Sequence, residues 1–283
     1  TLQHDHLLKI IAKNLEKKIK SELEKMLKSD RESYEKFFSA FGVQLKYGLY
    51  ADYGANKDTL KDLLLFTSSF ENKPVTLKEY VSRMTEEQKT IYYACGETVD
   101  KIELLPQTDA VKAKGFEVLY LTDDVDEFAL KMLFEYDGKS FTNICAGNLD
   151  LDSESEKEEL KKENEECADM LGFLKDSLNG AVSAVRFTNK LKNHPVCLTS
   201  EGMMSLEMEK VLAHMPGGEG AKATVVLEIN KEHKIADTLK SLYAEDKDKA
   251  AKYAKILYAQ SCLIAGKSID NPTEYCDLVC ELM

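Results

Sequence analysis

The stretch "KTIYYACGETVDKIELLPQTDAVKAKGFEVLYLTDD", residues 89 to 124, decides the fold class. Two short runs, "KTIYYACGE" and "FEVLYLTDD", are rich in the aromatic and β-branched residues that suit strands. Between them lies "TVDKIELLPQTDAVKAKG", long enough for a helical crossover, which two parallel strands require. The spacing predicts a βαβ unit with a parallel sheet, and so an α/β (α+β) protein.

On the N-terminal side, Leu8, Ile11, Leu15, Ile19, Leu23 and Met26 recur at three- and four-residue steps, predicting an amphipathic helix over 5–28 with a solvated lysine face. A second helix is predicted over 32–41, gathering Tyr34, Phe37, Phe38 and Phe41 and ending at Gly42. On the C-terminal side, "DVDEFALKMLFEY", residues 124–136, reads as a helix with acids at its N-terminus, and "KSFTNI" as a returning strand. Nine acids and three lysines between Asp150 and Glu166 mark a linker or exposed helix face, which places a domain boundary near residue 152. Beyond it, Cys167, Met170, Leu171, Leu174 and Leu178 predict a docked helix, while "SAVRFTNKL" and "TVVLEIN" alternate as strands. The organisation is a helical segment, 1–45, a small α/β subdomain, 46–152, and a mixed α/β domain, 153–283, ending in helices over 247–265 and 272–282.

The 283 residues, 43% of them apolar, suffice for a core, and a net charge of -12 argues against nucleic acid or anionic membranes as partners. No apolar run approaches the roughly 20 residues that span a bilayer. Seven scattered cysteines without a C-x-x-C pair suggest neither a disulfide framework nor a zinc site; the reading is a soluble protein of the reducing cytoplasm, with no metal. "SCLIAGKS" ends like a phosphate-binding loop but has Ser261 where a glycine is needed, and no hydrolase, metalloprotease or dinucleotide motif appears. The chain opens at Thr1 without an initiator methionine, an expectation of a fragment.

Four of nine methionines, Met203, Met204, Met208 and Met215, fall within "TSEGMMSLEMEKVLAHMPGGEG", residues 199–220. At 100 degrees per residue, Met204, Met208, Val211, Leu212 and Met215 share one stripe, with Met203, Leu206 and Ala213 opposite. From the stripe alone, core packing is the default; the glycine-rich "MPGGEG" beside it argues for a mobile segment, and methionine suits adaptable contact surfaces. The two terminal helices carry more apolar surface than one copy easily hides, which fits either a symmetric four-helix dimer or a monomer folded onto its own sheet.

The strings "LKDLLLFTSS", "YVSRMTEEQKTIYYACGE", "KGFEVLYLTDDVDEFALKML", "GKSFTNI", "VRFTNKLKNHPVCLTSEGMMSLEMEK", "LEINKEHKI" and "LYAQSCLIAGKSIDNPTEY", in that order, resemble the ninety-kilodalton heat-shock chaperone family, bacterial type, nearly end to end. The resemblance implies the later part of that family's middle domain over 1–152 and its C-terminal dimerisation domain over 153–283. The parent would be an ATP-driven homodimer that remodels non-native client proteins; ATP and magnesium belong to the parent, and this fragment would need no cofactor and would not hydrolyse ATP. The opening "TLQ" matches the end of a nucleotide-sensing segment, making Gln3 a glutamine that reaches the terminal phosphate. Glu127, Phe128 and Lys131 match one part of the family's client surface, and Met204, Met208, Val211 and Leu212 another. Leu257, Tyr258, Ser261, Ile264, Leu278 and Leu282 match the dimer interface. Phe128 stands where the family often has tryptophan, and Asp277 and Leu278 stand where it often has arginine. The competing readings are a dimeric protein-binding scaffold without chaperone activity and a small-molecule enzyme built on the βαβ unit.

Overall fold

The computed structural model describes residues 6–282 apart from residue 219. Helix α1, His6–Ser29, follows the predicted periodicity, and Asp30 then caps α2, Arg31–Ala51, by accepting from the Ser33 backbone N–H. Gly42 does not end α2 as expected. A Cβ there would come within 2.5 Å of the Phe38 ring, so this glycine makes room for an aromatic side chain inside the helix. Next come α3, Lys57–Leu60, β1, Leu65–Ser68, β2, Lys73–Thr76, and α4, Leu77–Arg83, which opens with a reciprocal capping box between Thr76 and Glu79.

Strand β3, Ile91–Cys95, is followed by α5, Val99–Glu103, α6, Pro106–Ala113, and β4, Val118–Leu121, so the predicted crossover is helical, in two pieces divided at Pro106. The pairings of β1 with both β2 and β4 are antiparallel, an arrangement that a βαβ unit alone does not supply. Helix α7, Asp126–Leu133, is shorter at both ends than predicted. Phe134 leaves it at φ +67°, and Asp137 and Gly138, at φ +50° and +71°, turn β5, Glu135–Tyr136, back into β6, Lys139–Asn143. Asp-Gly is a favoured two-residue hairpin turn, and here it outweighs the helical period.

The acidic segment forms α8, Glu154–Glu166, which opens with a Ser153–Glu156 capping box and buries no residue. After it come α9, Ala168–Asp176, β7, Ala184–Thr188, β8, Val196–Glu201, α10, Leu206–Ala213, β9, Thr224–Asn230, α11, Lys234–Glu245, α12, Lys247–Ile264, and α13, Pro272–Leu282. Strand β9 is central, parallel to β7 and antiparallel to β8. The fold class is therefore mixed α/β, as the sequence predicts.

The chain divides into two compact units, residues 1–91 with 119–141 and residues 92–118 with 142–283. In the first, Leu23, Tyr34, Leu63 and Leu65 form a core joined by Met26, Phe37 and Phe38. Tyr34 is fully buried and its hydroxyl donates to the Leu63 carbonyl; burial pushes its phenol up to about 12. Tyr34→Phe leaves that carbonyl unpaired, so the unfolding free energy should fall by about 1–2 kcal/mol. A urea titration reads this as a lower midpoint at unchanged slope.

In the second unit the core lies between the three-stranded sheet and α9, α11 and α12, with Leu174, Phe187, Val196, Leu227, Leu239 and Ala254 at its centre. Gln107 of α6 donates to the Leu198 carbonyl on β8. Asn164 of α8 pairs with both backbone groups of Phe187 on β7, accepting from its N–H at 2.8 Å and donating to its carbonyl at 3.3 Å. The opposite face of the sheet carries a charged cluster. Glu228, fully buried on β9, accepts on Oε1 from Arg186 Nε and Nη2 at 2.9 and 2.5 Å, from Thr199 Oγ1 at 3.1 Å and from Lys190 at 3.5 Å. Arg186 Nη1 continues to Glu201 at 2.6 Å. Cys197 stands opposite Glu228 on β8; burial first, then that carboxylate, push its thiol well above the usual range.

Candidate functional site

Helix α7 presents the first set of resemblance-matched residues. Glu127 is buried, while Phe128 and Lys131 are partly exposed. The Phe128 ring meets Tyr50 of α2 edge-on, centroids 5.5 Å apart at 68°. The α7 N-cap, Val125, makes no side-chain cap bond, and the adjoining Asp126 is buried. Its Oδ1 lies 2.6 Å from the Lys46 ammonium of α2, which also reaches Asp123 Oδ2 at 2.8 Å. Burial pushes the Asp126 carboxyl up, and Lys46 opposes that rise. Tyr47 of α2 is exposed, as are Tyr53 and Phe134 just past the C-terminal ends of α2 and α7, both on left-handed backbone that bulky residues seldom adopt.

The second set does not lie wholly on one helix, contrary to what the stripe through 203–215 predicts. Gly202, at φ +79°, turns the chain after β8, and Ser205 caps α10 by accepting from the Met208 backbone N–H. Met203 and Met204 thus precede the helix and Met215 follows it. Met208 is the helix's buried residue, Met204, Val211 and Leu212 are partly exposed, and Met203 and Met215 face solvent. The string "SLEMEK" carries the serine N-cap signal, and a helical stripe through Met203 and Met215 runs across it.

The third set divides between core and surface. Leu257 belongs to the core, and Ser261 is buried with its hydroxyl donating to the Leu257 carbonyl. Tyr258 is partly exposed; burial pushes its phenol up. Ile264 is exposed beside Leu263, and Leu278 and Leu282 of α13 are partly exposed. Helix α13 buries no residue and is tied to α12 by the ion pairs Lys252–Glu281 and Lys255–Glu274. Gln3 lies outside the described residues. Among the described residues no group of three or more His, Cys, Asp or Glu is arranged to hold a metal ion, and no helix is long and apolar enough to cross a membrane.

The family model described as "Hsp90 protein" matches residues 1–283. The chain belongs to the Hsp90 family. It is similar to proteins named "Chaperone protein HtpG": 54% identical over 282 residues to that of Clostridium acetobutylicum, 54% to that of Clostridium perfringens and 50% to that of Bacillus subtilis. Each match covers 100% of this chain and 45% of the relative, so the chain spans less than half the length of these Hsp90 relatives. Sequence reasoning missed Lys46, whose partner Asp123 lies 77 positions away, and the Arg186–Glu228 pair, 42 positions apart. No local pattern marks either.

Proposed function

We propose that this chain is the client-contacting and dimerising part of an ATP-driven molecular chaperone, with the later part of a middle domain over 1–152 and a C-terminal dimerisation domain over 153–283. ATP and magnesium act elsewhere in the parent, where Gln3 reaches the nucleotide's terminal phosphate, and this part does not itself hydrolyse ATP. Non-native polypeptides meet Phe128 and Lys131 on α7, beside Glu127, and Met204, Val211 and Leu212 around α10, with Met208 supporting that surface from within. Two copies join through α12 and α13, using Tyr258, Ile264, Leu278 and Leu282, with Leu257 and Ser261 supporting them from within each copy. The net charge of -12 speaks against nucleic acid and anionic membranes, and the cytoplasm suits its cysteines.

The observation that carries this reading is the family match over residues 1–283, with 50–54% identity to part of each chaperone relative. Helix α13 supports the dimer, since none of its eleven residues is buried and Leu278 and Leu282 keep apolar surface open to a second copy. Sedimentation at micromolar concentration should give twice the monomer mass, and Leu278→Asp with Leu282→Asp should return it to one. A monomer at every concentration would defeat the dimer reading. Failure to suppress aggregation of a denatured protein would defeat the client reading and leave a scaffold.

A further inference from the structure

The geometry points to Lys46 as the positioning residue of the α7 client surface: its ammonium, locked between Asp123 and Asp126, sets the direction in which Phe128 is presented. This inference rests on the client reading above. Lys46 is only 4% exposed, and a buried ammonium is strongly unfavourable unless paired. Its charge meets two carboxylates on one side and aromatic rings on the other. The carboxylates of Asp123 and Asp126 approach at 2.8 and 2.6 Å, while the Phe38 and Phe66 rings face the ammonium with centroids at 5.6 and 5.0 Å.

The two acids flank Val125, the residue from which α7 starts without a side-chain cap. Asp126 Oδ2 accepts from the Asp123 backbone N–H at 3.1 Å, so the carboxylate that holds Lys46 also closes the turn leading into the helix. One turn further along α2, Tyr50 meets the Phe128 ring edge-to-face. Helix α2 therefore fixes α7 at two points, an ionic one at Asp126 and an aromatic one two residues later. An apolar contact tolerates sliding and rotation, whereas a charge held by two carboxylates admits one register, the use for which buried ion pairs are best attested. Phe128 follows that register.

The experiment separates positioning from stability. Lys46→Met alone strands buried Asp126 and should destabilise the first unit; the double variant Lys46→Met/Asp126→Leu replaces the pair with apolar side chains and should restore the urea midpoint. Permanently unfolded, reduced and carboxymethylated α-lactalbumin serves as the client probe. The double variant should bind it about tenfold more weakly than the unchanged chain, as Phe128→Ala does, and Lys46→Arg should retain binding. In a Phe128→Trp background, the emission of the double variant should shift to the red. Restored stability with full probe binding or an unshifted emission overturns the inference. If Phe128→Ala itself binds the probe normally, the client reading fails instead, and the emission still decides whether Lys46 orients this position.

Discussion

Arg186→Met is expected to lower the unfolding free energy by about 3–5 kcal/mol, because it leaves the Glu228 carboxylate buried without its main partner. Arg186 gives Glu228 two of its four donors, including the nearest at 2.5 Å, and Glu228 has no exposed surface from which to reach water. Lys190 at 3.5 Å and Thr199 at 3.1 Å do not replace a two-pronged guanidinium. Converting both residues to methionine should recover most of the loss, since an apolar pair carries no desolvation cost. Denaturation of the single and double variants beside the unchanged chain decides the matter. A single-variant loss under about 1 kcal/mol would mean that the cluster admits water and behaves as a surface pair.

Met208→Ser should cost about 2–5 kcal/mol, whereas Met204→Ser should cost under about 1 kcal/mol. Spacing places the two on one stripe, but Met208 is 8% exposed inside α10 while Met204 stands before the Ser205 cap and keeps part of its surface. Thermal denaturation measures the first quantity, and binding of an unfolded polypeptide measures the second residue's role. Equal stability losses would show that the turn at 202–205 packs as tightly as the helix. Unchanged binding in Met208→Ser, beside a large stability loss, would remove Met208 from the client surface and leave Met204 with the exposed flank.

The parts of this fold that the sequence announces are those governed by near neighbours. The 3.6-residue period of 8–26 predicts α1, and the runs at 89–124 predict a helical crossover between strands, because side-chain direction repeats every few residues. Where two local signals compete, the reading errs. Gly42 stays in α2 because Phe38 lies over it, and the Asp137–Gly138 turn cuts α7 short of its hydrophobic period. The charged clusters at Lys46 and Glu228 are invisible for a different reason. Each joins elements far apart in sequence, and a single lysine or glutamate in an apolar segment looks the same whether it is buried with partners or turned to water.

Asn164 gives the acidic helix a use that its lack of buried residues hides. Strand β7 ends the three-stranded sheet, and a terminal strand displays N–H and C=O groups on which any extended peptide could zip up. The amide of Asn164 occupies both backbone groups of Phe187, and the row of glutamates around it repels an approaching acidic chain. A protein that meets unfolded polypeptide in its proposed role is thereby kept from templating it into β-structure at this border.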